Sequence, residues 1–225
     1  METLRHLLVQ RAARLQDRPA LSCKAWGTLN YSQFRNRVEG VALGLMATSQ
    51  SIGTLYYTGE RGEANNIHDH AEIDIQRPTY EPWIWIAEVA AIACGFIWSS
   101  QGDLISPSIL GGRHFNNEEG RGPFHDRDAE LTGSCFAVPG LSHQQILLRM
   151  QRENEKLGWD HTTKLELSQP DVTTSNGRAL LWNALYAGSH VVLTEPIGSS
   201  FLESLFLNKR SDPVSAKALD NFWLT

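Results

Sequence analysis

The sequence predicts an α/β fold in which a Rossmann-like sheet is layered against helices. Apolar residues recur at helical spacing over residues 4–15 and 34–45, and a nearly continuous apolar run follows over residues 83–92. Strand-like segments such as residues 190–194 lie between the helical ones. Because helices and strands alternate along the chain, a layered α/β architecture is favoured.

The first elements are delimited by turn and cap residues. Pro19 cannot continue a helix, so the first helix must end before it. A short hairpin is expected next, turning at Trp26 and Gly27. Ser32 is of a type that favours a helix N-cap, and it predicts the start of the second helix.

Similar signals delimit the later elements. The segment that begins at Pro82 is apolar on nearly every side, which predicts a buried helix that ends at Gly95. Ser142 and Gln145 have the spacing of a capping box and predict another helix. The helical pattern over residues 177–187 is followed by Gly188, a residue suited to a helix C-terminus.

Composition excludes several functional classes. Of the 225 residues, 41% are hydrophobic and 20% are charged, so we expect residues 1–225 to form one packed domain. The formal net charge of −5 argues against a nucleic-acid or anionic-membrane surface. Cys23, Cys94 and Cys135 show no metal-type spacing, and free thiols are expected. With no signal peptide and no apolar run that spans a bilayer, we expect a cytoplasmic protein.

Four segments follow one another in an order that is typical of one enzyme family. They are RAARLQDRPALSCKAWGTLNYSQFRNRVEGVALGLMA, YEPWIWIAEVAAIACGFIW, GLSHQQILLRM and ALLWNALYAGSHVVLTEP. Together they resemble successive motifs of the adenylate-forming (AMP-binding) enzymes, which include acyl-CoA synthetases and nonribosomal adenylation domains. The resemblance covers nearly the whole chain but only about the first half of the family's large domain, which implies a truncated domain.

The family's phosphate loop has the pattern T-S-G-[ST]-[TS]-G-x-P-K-G, and residues 131–140 occupy its place here. The remnants of this phosphate loop are Thr132, Gly133, Ser134, Pro139 and Gly140. The lysine and the central glycine are missing, and residues 135–138 put apolar bulk where the family has hydroxyl groups. Because a phosphate loop must bring flexible backbone close to anionic oxygens, a degenerate loop implies that this chain alone does not adenylate.

The resemblance implies an acyl-CoA synthetase-like accessory protein, a pseudoenzyme in which catalysis is not expected but stays open. Such a relative would bind a carboxylic acid or acyl ligand, a synthetase, a carrier protein or a second copy of itself. An alternative is an AMP-forming acid ligase that another chain completes, and only this alternative would use ATP and Mg²⁺. Truncation should expose apolar surface, which predicts a homo-oligomer.

Two further clusters suggest other chemistry. His68 and His70 stand at alternate positions and could share a metal ion, so a metal-dependent enzyme is a third hypothesis. The carboxylates that follow do not have the spacing of a known motif, and a histidine-rich polar loop is the simpler interpretation. Cys135 and His143 would form a nucleophile pair only with the right geometry.

Overall fold

The computed structural model describes residues 2–24, 26–48, 54–56, 82–99, 103–104, 131–168, 172, 174–194 and 222–223. Within these ranges the helices are α1 (Leu4–Leu15), α2 (Tyr31–Thr48), α3 (Trp83–Ala93), α4 (His143–Leu157) and α5 (Ser175–Ala187). The strands are β1 (Pro19–Cys23), β2 (Gly27–Asn30), β3 (Thr54–Tyr56), β4 (Ile97–Ser99), β5 (Asp103–Leu104), β6 (Phe136–Val138), β7 (Leu141–Ser142), β8 (Lys164–Ser168) and β9 (His190–Thr194).

The main sheet has the strand order β2-β1-β9-β8. Strand β1 pairs with β9 in parallel, with Leu21 opposite Val191, although the two strands are far apart in sequence. Strand β9 in turn pairs with β8 in parallel, with Lys164 opposite His190. A separate parallel sheet has the order β4-β3-β5, and β6 pairs with β7 as a hairpin. The α/β fold predicted from the sequence is therefore confirmed.

The start of α2 differs from the prediction. The helix begins at Tyr31, so Ser32 lies inside its first turn. Asn30 provides the cap instead, because its side-chain oxygen accepts from the Gln33 N–H at 2.7 Å while the Gln33 side chain accepts from the Asn30 N–H at 3.0 Å. This is the reciprocal pattern of a capping box, formed with asparagine and glutamine. The N-cap prediction for Ser32 was wrong.

Helix α3 is a buried central element, as the sequence predicts. Ile86, Ala90 and Ile92 have no exposed surface. The ring of Trp85 meets the ring of Trp182 in α5 edge to face, with 4.9 Å between the ring centroids. Each fully buried side chain of isoleucine size contributes about 1.5–3 kcal/mol, so this helix is a major part of the core.

Helices α4 and α5 begin and end at local signals. The predicted capping box of Ser142 and Gln145 is present at the start of α4. Helix α5 begins two residues before the apolar pattern, because the side chain of Thr174 caps it. It ends at Gly188, whose φ of 83° is left-handed, as the sequence predicts. Among the helices of the described ranges, none is both long and apolar enough to cross a bilayer.

Candidate functional site at the start of helix α4

The five predicted phosphate-loop remnants lie in two separate turns. Thr132, Gly133 and Ser134 form a turn just before β6, in which the Cys135 N–H donates to the Thr132 carbonyl at 3.1 Å. The Thr132 and Ser134 hydroxyl oxygens are 2.8 Å apart, and both side chains are exposed. This turn lies at the base of the β6–β7 hairpin, next to the start of α4.

Pro139 and Gly140 lie at the opposite end of the hairpin. They alone connect β6 to β7, since Val138 pairs directly with Leu141. Gly140 has a φ of 77°, which is the conformation that a tight turn after a proline requires. The structure therefore does not bring these two residues together with Thr132, Gly133 and Ser134.

The first backbone N–H groups of α4 are already paired within the chain. The His143 N–H donates to the Cys135 carbonyl at 3.0 Å, and the Gln144 N–H donates to the Gly133 carbonyl at 2.9 Å. The Gln145 N–H donates to the side-chain oxygen of Ser142, the N-cap, at 3.3 Å. An anion at a helix N-terminus binds through such N–H groups, and here the turn and the N-cap occupy all three.

Gly133 has a packing role in this turn. A Cβ atom built on Gly133 would lie only 2.8 Å from the Glu2 carbonyl oxygen and 3.4 Å from the Gln144 Cβ. Carbon and oxygen cannot approach so closely, so a side chain here would push the N-terminal segment away. Glycine at this position therefore allows the turn to contact the chain before α1.

His143 is buried between the starts of α1 and α4. Its Nδ1 accepts from the Leu4 N–H at 3.2 Å, which places the proton of the neutral ring on Nε2. Burial, followed by the nearby charge of Arg5, lowers the pKa of His143 from 6.5 to about 4. The imidazole is therefore neutral at pH 7 and offers no positive charge to a phosphate.

Cys135 and His143 are not arranged as a nucleophile and a base. The hydrogen bond that joins them in the described structure runs between backbone atoms, from the His143 N–H to the Cys135 carbonyl. The Cys135 Sγ lies 3.5 Å from the Thr132 hydroxyl, and hydrogen bonding to Thr132 lowers the pKa of the thiol. The His143 side chain is fully buried, whereas the thiol is partly exposed.

No family model and no curated protein sequence matches this chain. Among solved structures, the N-terminal subdomain of NpsA from Klebsiella oxytoca superposes with a TM-score of 0.59 at 13% identity, over 91% of this chain and 58% of that one. VinN superposes with a TM-score of 0.57 at 12% identity, over 88% of this chain and 60% of that one. MatB from Rhodopseudomonas palustris gives a TM-score of 0.51 at 12% identity, over 84% of this chain and 44% of that one.

These three proteins are adenylate-forming enzymes. The chain has the fold of the N-terminal part of an adenylate-forming enzyme. It spans 58% of the NpsA chain and 60% of the VinN chain to which it is similar. The N-terminal subdomain of NpsA has been solved in complex with anthranilyl-AMSN, and VinN in complex with L-aspartate.

His68 and His70 lie outside the described residues, so the structure does not place them. Within the described ranges, no group of three or more His, Cys, Asp or Glu side chains is arranged to hold a metal ion. No disulfide joins the three cysteines, and Cys23 and Cys94 are buried.

A buried ion pair that the sequence did not predict joins α3 to α5. The Arg178 guanidinium donates to both carboxylate oxygens of Glu88, each at 2.8 Å, and the Trp182 Nε1–H donates to the same carboxylate at 2.9 Å. The Glu88 side chain is only 1% exposed. A single glutamate within an apolar helix indicates a buried charge that needs a partner, but nothing in the sequence identifies Arg178 as that partner.

A second unpredicted cluster lies on the main sheet. The Ser22 hydroxyl on β1 is 2.8 Å from Nε2 of His190 on β9 and 2.7 Å from the Thr28 hydroxyl on β2. Burial, followed by the charge of Lys164, lowers the pKa of His190. A serine next to a neutral histidine is the start of a catalytic triad, yet the described residues show no carboxylate hydrogen-bonded to this histidine. The arrangement is that of polar side chains paired across neighbouring strands.

Proposed function

We propose that the chain is an acyl-CoA synthetase-like accessory protein that does not form adenylates on its own. In this proposal it binds a carboxylic acid or acyl ligand, or docks to a partner protein such as a synthetase or a carrier protein. The fold supports the relationship to the adenylate-forming enzymes. The absence of adenylation rests on one observation, the internal pairing of the first three N–H groups of α4.

Binding a triphosphate in this turn is energetically unfavourable. Each internal hydrogen bond that is given up costs about 0.5–1.5 kcal/mol net, and the carbonyls of Gly133 and Cys135 would lose their donors. Residues 131–140 contain no lysine or arginine to balance the phosphate charge. Nearby His143 is neutral at pH 7, so it does not attract the anion either.

Calorimetric titration with ATP and Mg²⁺ tests this proposal. We expect no saturable heat up to about 1 mM nucleotide. The proposal fails if ATP binds and the Thr132→Ala/Ser134→Ala double variant abolishes the binding. Thr28→Ala is the matched control, because it removes a hydroxyl from the sheet and leaves the turn before α4 unchanged.

Ligand binding is tested separately with carboxylic acids. Benzoate, anthranilate, L-aspartate and a medium-chain fatty acid are each titrated in a thermal-unfolding assay. A ligand present at 100 times its Kd stabilises the native state by about 2.7 kcal/mol, which is a readily measured shift of the midpoint. If none of the four acids changes the midpoint, the acid-binding part of the proposal is rejected and docking to a protein remains.

The second candidate is an AMP-forming ligase completed by another chain. The fold supports it, since the chain superposes on the N-terminal subdomain of NpsA with a TM-score of 0.59. The test is acid-dependent exchange of pyrophosphate into ATP, measured after addition of a polypeptide that carries the remaining part of an adenylate-forming domain. Exchange above that of the added polypeptide alone would favour the ligase, and no increase would favour the accessory protein.

Self-association is part of the same proposal. Among the large apolar side chains of the described residues, Phe136 is 52% exposed and Leu148 is 47% exposed. Sedimentation at micromolar concentration should show a dimer or larger species, which the Leu148→Glu variant reduces. A wild-type protein that sediments strictly as a monomer would contradict this part.

A further inference from the structure

Asn176 and Gly177 form the only Asn–Gly pair in the sequence, and both lie in the first turn of α5. In a flexible chain this pair deamidates more readily than other asparagine pairs. The backbone nitrogen of the second residue attacks the asparagine side-chain amide, and glycine has no Cβ to hinder the approach. Whether the reaction occurs in a folded protein therefore depends on how firmly that backbone nitrogen is held.

The attacking nitrogen is held by the cap of α5. The Gly177 N–H donates to the side-chain oxygen of Thr174 at 3.0 Å. The next N–H, that of Arg178, donates to the Thr174 carbonyl at 2.9 Å. These two bonds keep the Asn176–Gly177 peptide in helical conformation, in which the nitrogen cannot reach the asparagine amide carbon.

Ser175 and Arg178, the residues on either side of the pair, contact residues outside α5. The Trp223 Nε1–H donates to the Ser175 carbonyl at 2.8 Å. The Arg178 guanidinium lies over the Trp223 ring, 4.6 Å from its centroid, and it is bound to both oxygens of the buried Glu88 carboxylate. The first turn of α5 is thus restrained by its own cap, by α3 and by Trp223.

We propose that Asn176 is a deamidation site that this folded turn protects and that opening of the turn exposes. The Gly177 nitrogen, after it loses its proton to solvent base, forms a bond to Cγ of Asn176, and ammonia leaves. Water then opens the succinimide ring at either carbonyl and gives aspartate or isoaspartate. Isoaspartate inserts an extra carbon into the main chain. The isoaspartate form therefore cannot form the regular first turn of α5.

The test follows deamidation of the full chain by peptide mapping and mass spectrometry at mildly alkaline pH. We expect native wild-type protein to deamidate at residue 176 at least about tenfold more slowly than the same protein in urea, as for a turn whose opening costs about 1.4 kcal/mol or more. Thr174→Ala removes a cap worth about 1 kcal/mol and should accelerate the native reaction about fivefold. Gly177→Ala should slow deamidation in urea, because the methyl group hinders the attack.

Ser142→Ala is the matched control, because it removes the equivalent N-cap from α4 and should leave the rate at residue 176 unchanged. Trp223→Phe keeps an aromatic ring beside Arg178 but removes the donor to the Ser175 carbonyl, so it should also accelerate deamidation. If Thr174→Ala does not fold, this variant provides the test of the proposal. The proposal is overturned if native protein deamidates as fast as unfolded protein. It is also overturned if Ser142→Ala accelerates the reaction as much as Thr174→Ala.

Discussion

The backbone N–H of His143 donates to the carbonyl of Cys135 at 3.0 Å, across the base of the β6–β7 hairpin. This bond joins the first residue of α4 to the segment in which the sequence indicates a degenerate phosphate loop. A helix N-terminus commonly binds anions through its free N–H groups, but here the first N–H group of α4 is bound to a carbonyl of the same chain.

The stability of the protein should fall in mild acid because of His143. The pKa of His143 is about 4 in the folded state and 6.5 in its unperturbed state. Between these values the unfolded chain binds a proton that the folded chain does not, so stability is full above pH 6.5 and is lost as the pH falls towards 4. A difference of this size corresponds to about 3 kcal/mol.

Urea denaturation at a series of pH values measures this loss. The control is His143→Asn, whose side-chain oxygen can still accept from the Leu4 N–H but does not titrate. The free energy of unfolding of the variant should depend less on pH between 6.5 and 4. Equal slopes for the two proteins in this window would exclude His143 as the cause.

Breaking the buried ion pair should be strongly destabilising. Glu88→Gln leaves the partly buried Arg178 guanidinium, which is 18% exposed, without the carboxylate that it binds, and removing one partner of a buried pair costs about 3–5 kcal/mol. Glu166→Gln is the matched control, since its pair with Lys164 is exposed and is worth about 1 kcal/mol or less. Urea denaturation compares the two variants, and a similar small loss for both would contradict the structural role of Glu88.

Gly133→Ala should destabilise the protein through steric overlap with the N-terminal segment. The new methyl group would lie 2.8 Å from the Glu2 carbonyl oxygen, which is backbone and cannot rotate away. Overpacking of this kind costs about 1–3 kcal/mol. The exchange rate of the Leu4 amide hydrogen should also rise, because its bond to His143 depends on the same segment.

A control for this variant is Gly158→Ala, since Gly158 has a φ of 64° but nothing within 4 Å of the added Cβ. It should lose about 1–2 kcal/mol from backbone strain alone and leave Leu4 exchange unchanged. If Gly133→Ala folds with wild-type stability, the packing role assigned to Gly133 is wrong.

Ser22 should not act as a nucleophile despite its 2.8 Å contact with His190. In the described residues, no carboxylate is hydrogen-bonded to the imidazole, and the neighbouring strands use their amides in the sheet. We therefore expect no labelling by a fluorophosphonate probe under conditions that label a serine hydrolase. Labelling that disappears in Ser22→Ala and persists in Thr28→Ala would reverse this interpretation.

The sequence by itself determined where most elements begin and end. Pro19, the Ser142–Gln145 capping box and Gly188 act through bonds and dihedral angles within one turn, so their neighbours in the chain suffice to interpret them. Even the error at Ser32 is local, because Asn30 and Gln33 form the competing cap two residues earlier.

Tertiary structure alone decided which polar side chains and backbone groups meet across long distances in the sequence. Glu88 meets Arg178 across 90 residues, and Leu4 meets His143 across 139. Such pairs depend on how helices pack, and the pattern of apolar residues sets which face is buried without naming the polar partner that meets it. The sequence predicted a degenerate phosphate loop over residues 131–140. Only the fold showed that its carbonyls are bound to the first N–H groups of α4, because hydrogen bonding by backbone groups is independent of side-chain identity.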